Sequence, residues 1–463
     1  MSILEYVSVK EKANEWKISE RQVQYYCRQL QIDGAIKKSG VWLVPKDTSK
    51  PTEKKENDLR LLSLFSGCGG MDLGFEGHFD ILEQQFNSRI NYKWEVTKLD
   101  NGWIRLPKTR FKTVFANDIV PETQQAWSEY FANKGSVYCL DSIVDLVKLQ
   151  KNNKIDVFPK EIDIVTGGFP CQDFSVAGKR LGFESEASHN GGKMDIDEPT
   201  IESRGQLYMW MRSVISITQP KMFVAENVKG LTNLGQAKKI IEADFASVSD
   251  EGYYVFPARV LLAADYGVSQ SRERVIFIGV RKNALKRGLL EKLEHIEKFP
   301  ELDPYPQKTH TDTFESAKLP YVTVKEVLSD LPEPEESNDI DQQSYSKAKF
   351  MGRHCQGQIE VDLDGIAPTI RSEHHGNIEF RRLSKENGGN HSKELAQGKK
   401  ERRLTIRECA RIQSFPDNYQ FIRPGRGGIS ATSAYKMIGN ALPPLMAFHI
   451  AKRLEDLWPT YFG

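Results

Sequence analysis

Cys171 stands in the stretch GGFPCQDFSVAGKR (residues 167–180), directly after Phe169-Pro170 and ahead of a polar, glycine-containing run. A cysteine that merely packs is usually set among apolar neighbours, so this setting favours a thiol that does chemistry. Other reactive residue types stand beside short apolar runs: Asp118 after TVFAN, Glu226 after MFVA, and Arg272 and Arg274 in QSRER just before VIFIGV. A thiolate can add reversibly to an electron-poor carbon, a buried carboxyl group can deliver a proton, and paired guanidinium groups can hold a polar or anionic substrate. The competing readings are a salt-bridged acid at a strand tip for Glu226 and an exposed charged strand edge for the two arginines.

Bringing these groups together requires strands that end at one place. IDIVT (162–166) is a short apolar run closed by paired glycines, which reads as a buried strand delivering Cys171 at its carboxyl end, where open α/β sheets bind ligands. LRLLSLF (59–65) is a continuous apolar run of strand length that enters SGCGGMDLGFEG, a turn whose glycines let the backbone approach a nucleotide-like ligand. Further strands are expected over 113–117, 137–140, 222–225, 254–262 and 275–280, and helical apolar spacing predicts a helix over 207–218. Asp118 ends the second strand, where a doubly wound fold hydrogen-bonds ribose hydroxyls; Asp141 ends the third and reads equally well as a helix cap. Residues 77–112 and 184–202 read as insertions.

With 463 residues the chain exceeds what one core supports, so two or three domains are expected. No apolar run is long enough to cross a bilayer, and the cytoplasm is the expected compartment. Six cysteines lie far apart without CxxC or Cys/His spacing, which predicts neither a disulfide framework nor a metal site. The first fifty residues form a separate unit. Ser8-x-x-Glu11 and Ser19-x-x-Gln22 fit capping boxes opening helices over 9–16 and 20–30, and a turn at 38–40 separates two short strands. Helix, turn, helix and wing resemble small excisionase-like and MerR-like regulators. Residues 1–55 hold eleven Lys/Arg against seven Asp/Glu, a local charge of +4, and a protein-contact module is nearly as good a reading as a DNA-binding one.

Six blocks carry a resemblance: LFSGCGGMDLGF (64–75), GGFPCQDFSVAGKR (167–180), AENVKG (225–230), DYGVSQSRERVIFIGVR (265–281), RRLTIRECARIQSFPDNY (402–419) and YKMIGNALPP (435–444). Together, in this order, they resemble the DNA cytosine-5 methyltransferases of prokaryotic restriction–modification type. The fold implied is α/β: a class I, Rossmann-like methyltransferase domain with a mostly parallel seven-stranded sheet, a smaller target-recognition domain, and the N-terminal winged helix-turn-helix-like domain. The boundaries read as 1–50 for the N-terminal module, 51–58 for a linker, 59–281 for the catalytic domain, 282–430 for target recognition and 431–463 for a C-terminal segment returning to the catalytic domain.

The resemblance implies transfer of a methyl group from S-adenosylmethionine to C5 of a cytosine rotated out of a duplex. Cys171 would add to C6, Glu226 would protonate N3, and Arg272 and Arg274 would hold the base and its flanking phosphate. Phe65, Ser66, Gly67, Cys68, Gly69, Gly70, Asp118, Ile119, Asp141, Ser142, Phe169, Pro170 and Asn440 would line the cofactor. Here the chain departs from the common pattern: Ile119 follows the acid where an aromatic usually stacks on adenine. Gln172, Ser175, Gln270, Thr369, Arg371, His374 and Arg381 would face DNA. The partners implied are double-stranded DNA and a cognate restriction endonuclease, with the enzyme monomeric on its target and the N-terminal module the one route to a dimer. Neither membrane nor metal is expected. The rivals are a tRNA cytosine-5 methyltransferase and a DNA-binding regulator with a vestigial methyltransferase domain.

Overall fold

The structure is a computed structural model that describes residues 6–28, 32, 35–38, 40–46, 48, 58–131, 137–153, 156–170, 207–233, 237–249, 251–372 and 378–462. It opens with β1 (Tyr6–Ser8), α1 (Val9–Trp16), α2 (Glu20–Arg28), β2 (Ile36–Lys38) and β3 (Val41–Pro45). Ser8 and Glu11 make the reciprocal capping box expected of them, and Lys17 closes α1 in the left-handed conformation. β2 and β3 pair antiparallel as the expected hairpin. The sequence reading lacked β1, three residues too short to carry a pattern, which completes a sheet of order β1-β3-β2. This unit has its own small core of Val9, Ala13, Val23, Tyr26, Cys27, Ile32 and Val44. The fully buried Lys12 amine clamps α1 to the end of β3 by donating to the carbonyls of Lys46 (2.6 Å) and Thr48 (2.9 Å).

The main sheet is built from β4 (Leu59–Leu64), then, after the small sheet β5 (Asp80–Leu82), β6 (Thr97–Lys98) and β7 (Trp103–Arg105), from β8 (Phe111–Asn117), β9 (Tyr138–Cys139), β10 (Ile164–Gly168), β11 (Met222–Val228), β12 (Tyr253–Val255), β13 (Arg259–Leu262) and β14 (Glu273–Arg281). Its order is β12-β14-β11-β10-β4-β8-β9, with β13 also on β14. β9, β8, β4, β10 and β11 run parallel, and β14 is the strand reversed against its neighbours. The chain leaves β4 for β8 on one side and later takes up β10 on the other, so the switch in strand order falls beside β4 and β10.

Eight segments appear instead of seven strands because the stretch expected to be one strand over 254–262 is two. Pro257 cannot donate to the ladder, and pairing with β14 slips there from Val255↔Gly279 to Arg259↔Ile276. The expected strand 222–225 is longer, carrying Glu226 and Asn227 inside β11.

Alternate residues fill two cores. Met222 and Val224 of β11, with Ile276, Ile278 and Val280 of β14, face one side; Phe223 and Ala225, with Val275 and Phe277, face the other. Both faces are therefore covered, which explains why these strands read as continuous apolar runs. The first face carries α3 (Gly70–Glu76), α4 (Pro121–Tyr130) and the C-terminal α14 (Pro444–Tyr461); the second carries α5 (Ile143–Asn153), α6 (Leu207–Thr218) and α7 (Ala237–Ala246).

Residues 77–112 are a buttress. Gln85 donates to Gly267 O (3.2 Å), Asn87 to Thr309 O (2.8 Å), and Trp94 packs edge-on against Phe448. The chain from 282 onward adds short elements: α8 (Leu289–Glu294), β15 (His310–Thr311), β16 (Leu319–Pro320), α9 (Val324–Leu328), α10 (Ile340–Gln343), β17 (Phe380–Arg382), α11 (Ser392–Ala396), β18 (Arg402–Arg403), α12 (Ile406–Ile412) and α13 (Ala431–Asn440). The insertion at 184–202 lies outside the described residues.

Candidate active site

The glycine-rich loop leaves β4 in a sharp turn: Phe65 (φ 52°), Gly67 (φ 53°) and Gly69 (φ 80°) are all left-handed. For Phe65 this conformation costs about 1 kcal/mol, held here by the surrounding bonds. Ser66 Oγ donates to Ser63 Oγ (2.8 Å) and accepts from Asn117 N (3.2 Å), while Tyr138 Oη donates to Gly67 O (2.9 Å). A Cβ on Gly69 would lie 2.5 Å from Trp127, whereas one on Gly67 would meet nothing within 4 Å, so the loop packs on one side and opens on the other.

Asp118 closes the first half of the site. Its carboxylate accepts from Gly67 N (3.0 Å), Ile119 N (2.8 Å) and Val120 N (3.1 Å). Burial pushes its pKa up, and these bonds only partly offset that. Ile119 beside it is 66% exposed. Asp141 is exposed and Ser142 half-buried at the end of β9; Asn117 Nδ2 donates to the Asp141 carbonyl at 2.8 Å. Open space over Gly67, a carboxylate at the second strand tip and an uncovered apolar residue next to it fit a ligand that carries a nucleoside.

The second half lies across β10 and β11. Glu226 is paired in register with Gly168 and is buried. Its carboxylate takes the Arg274 Nε at 2.7 Å, from β14 on its other side. Desolvation raises the Glu226 pKa; the Arg274 and Arg272 charges pull it down without cancelling the rise. Gly168 makes room for this carboxylate, since a Cβ there would sit 2.7 Å from Glu226 Oε2. Next along, Asn227 Nδ2 donates to Phe169 O (3.0 Å), and the Phe169 ring is buried against Tyr208. The backbone that leads toward Cys171 is thus fixed up to an exposed Pro170. Cys171, Gln172, Ser175 and His374 lie outside the described residues.

Several expectations are corrected. The Cys68 thiol points into the core toward Met437 O (3.5 Å), and burial raises its pKa to about 12, so only its backbone belongs to the loop. Gln270 is fully buried, bonded to Gln413 (2.6 Å) and Ile370 N (3.2 Å), and has no face to offer a duplex. Arg381 is held by Glu394 (3.0 Å) and Glu408 (3.8 Å) in an internal ion-pair network. Arg272 is fully buried and donates to the carbonyls of Ile370 (3.1 Å) and Gly439 (2.8 Å), a tie between segments instead of a hand on the base. Thr369 donates to Ser271 O (3.2 Å); Arg371 and Asn440 are exposed. Asn227, Gly168 and Tyr138 were missed as site residues, because a contact between two strand ends leaves no mark in either strand alone. Among the described residues no cluster of His, Cys, Asp and Glu could hold a metal, and no helix is long and apolar enough to cross a membrane.

Fold and site together define a Rossmann-like methyltransferase. More narrowly, the chain belongs to the C-5 cytosine-specific DNA methylases, a family it matches over residues 59–456, and is a DNA cytosine-5 methyltransferase. It is 33% identical over 422 residues to the Type II methyltransferase M.BsuRI of Bacillus subtilis, covering 87% of this chain and 80% of that one. To M.NgoFVII of Neisseria gonorrhoeae it is 30% identical over 414 residues, covering 87% and 88%. Among solved structures it resembles a DNMT2 from Spodoptera frugiperda, with a TM-score of 0.52 at 17% identity over 86% of this chain and 99% of that one. The methyltransferase EhMeth of Entamoeba histolytica gives 0.52 at 14% identity over 87% and 100%. At such identities the structural likeness speaks for the fold. The resemblance carried by the six sequence blocks is borne out.

Proposed function

We propose that the chain methylates C5 of a cytosine rotated out of a specific duplex site, as the protecting enzyme of a prokaryotic restriction–modification system. The buried Glu226–Arg274 pair, beside the strand end that leads to Cys171, carries this reading.

Cytosine C5 is a poor nucleophile until the ring is activated. The Cys171 thiolate forms a bond to C6, and the electron pair displaced toward the ring is neutralised as Glu226 gives its proton to N3. Desolvation of Glu226 favours the protonated, donating form. Arg274 holds the base at O2 and fixes Glu226 through their shared contact. S-adenosylmethionine, the family's methyl donor, supplies an electrophilic methyl group when bound; Phe65, Ser66, Gly67, Gly69 and Gly70 would hold it with Asp118 at the ribose and Ile119, Asp141, Ser142, Phe169, Pro170 and Asn440 around it. Once C5 is methylated, loss of its proton to a base, return of the N3 proton and departure of the Cys171 sulfur restore the aromatic ring.

Residues 282–430 would read the sequence, with the exposed Arg371 and neighbouring Thr369 at the support for that surface. The N-terminal module would bind DNA through α2 and its hairpin. In its favour are exposed Lys37 and Lys38 on β2, exposed Arg21 on α2, and Val41, 57% exposed at the hairpin turn. Such a chain could also occupy its own promoter.

Sequencing of methylated cytosines in DNA from expressing cells tests the main reading. One short motif carrying 5-methylcytosine is expected; preferential methylation of tRNA in competition with duplex DNA would overturn it. Deleting residues 1–50 should abolish promoter occupancy, and unchanged occupancy would remove the second role.

A further inference from the structure

We infer that Gln270, Arg272 and Gln413 are positioning residues that couple the segment 367–372 to Arg274, so that contact of that segment with DNA decides how the base-holding pair sits. The inference rests on the assignment of Glu226 and Arg274 above.

Residues 269–274 lead directly into Arg274, and residues 367–370 are zipped against them. Ala367 N donates to Ser269 O (3.0 Å), Ser271 N to Ala367 O (2.8 Å), Thr369 Oγ1 to Ser271 O (3.2 Å) and Ile370 N to Gln270 Oε1 (3.2 Å). Arg272 then spans two partners, the carbonyls of Ile370 and of Gly439 at the end of α13. Gly439 is indispensable to that approach, because a Cβ there would lie 2.4 Å from the Arg371 carbonyl carbon. Gln270 Nε2 donates to Gln413 Oε1 (2.6 Å), whose own amide donates to Ala441 O (2.6 Å).

Three chain segments and the α13–α14 junction therefore meet in one buried polar knot. Its surface end is the exposed Arg371; its inner end is Arg274, two residues from Arg272. Releasing any one of these buried bonds costs about 1–3 kcal/mol, and Arg272 Nε already goes without a partner, so the two bonds Arg272 does make are the ones that hold it. A displacement of Ile370 must carry Arg272 with it, and with Arg272 the backbone of Arg274. Arg272 also bears on Glu226 directly, as one of the charges that lower its pKa. An apolar core would have joined these segments equally firmly without linking the loop that faces DNA to the charge that faces the base.

The test uses the full-length enzyme in cells free of other cytosine methylation, scoring methylation at the cognate motif and at sites differing by one base pair. Arg272→Met should reduce cognate methylation and lower the cognate to near-cognate ratio by about tenfold, Arg272→Lys recovering part of it. Cofactor affinity, measured by equilibrium binding, should stay within about threefold in each variant. If the knot is only cement, cognate and near-cognate methylation fall together and the ratio holds within about twofold, which overturns the inference. Gln270→Leu removes one polar link with little change of volume and decides the question by the same ratio if Arg272→Met does not accumulate. Absence of 5-methylcytosine with the unaltered enzyme would instead overturn the assignment of the site.

Discussion

The Glu226 carboxyl group reaches Arg274 only because its neighbour across the parallel pair is a glycine. Gly168→Ala would put a methyl group within 2.7 Å of Glu226 Oε2, prising it from Arg274. Turnover should fall by about 10²-fold or more while cofactor affinity is retained, as read by single-turnover kinetics and equilibrium binding. Glu226→Gln should slow methyl transfer by about 10²–10⁴-fold with a much smaller loss of DNA affinity; equal losses would argue against proton donation. The sign of the pH effect follows from the raised pKa of Glu226. With Glu226 as the proton donor proposed above, the protonated form is the one that works, so the rate should fall as pH climbs through that value, and the Gln variant should lose this alkaline decline. Cys171→Ala should abolish transfer and trapping of a covalent DNA adduct while leaving cofactor binding measurable.

At the scale of elements, the strands β17 and β18 are too short to hold themselves and depend on charge. Glu333 receives Arg382 Nη2 (2.7 Å) and Arg402 Nε (3.0 Å); Arg402 also grips Glu408 at 2.8 Å, and Arg382 grips Glu394 at 2.7 Å. Burial works to raise Glu333, but the hydrogen bonds and charges of Arg382 and Arg402 outweigh it and hold the pKa at about 2. A depressed carboxylate contributes stability that is complete above its unfolded value and is lost as pH falls through the folded one. The thermal midpoint should therefore drop between pH 4.5 and 2, and Glu333→Gln should flatten that dependence. At neutral pH the variant should cost on the order of 3 kcal/mol, since it leaves buried arginines short of a counter-charge.

For the whole molecule, the joint between α3 and α14 brings the C-terminal helix back to the helix that follows β4. A Cβ on Gly74 would lie 2.4 Å from Ala447 Cβ and 2.5 Å from Pro444 O, so the two helices touch backbone to backbone. Gly74→Val should prevent α14 from seating, exposing Phe448 and Ile450, and yield protein that binds a hydrophobic dye and unfolds without a sharp transition. Removing residues 1–50 should not do this, because that unit's core contains none of the residues of the main one.

The sequence by itself determined most strands of the main sheet, the glycine-rich loop and the family. Apolar runs buried on both faces and six ordered blocks are local signals that survive without coordinates. The resemblance also raised the expectation that Glu226 and Arg274 serve one site, and their 2.7 Å contact is in the structure. What only the tertiary structure decided was the direction in which polar side chains spend their bonds. Gln270, Arg272 and Arg381 are typed like DNA contacts, yet each is bound inside by groups distant in sequence: Gln413, Gly439 and Glu394. An arginine's type states that it can hold an anion or a carbonyl, and long-range packing alone settles which one lies within reach.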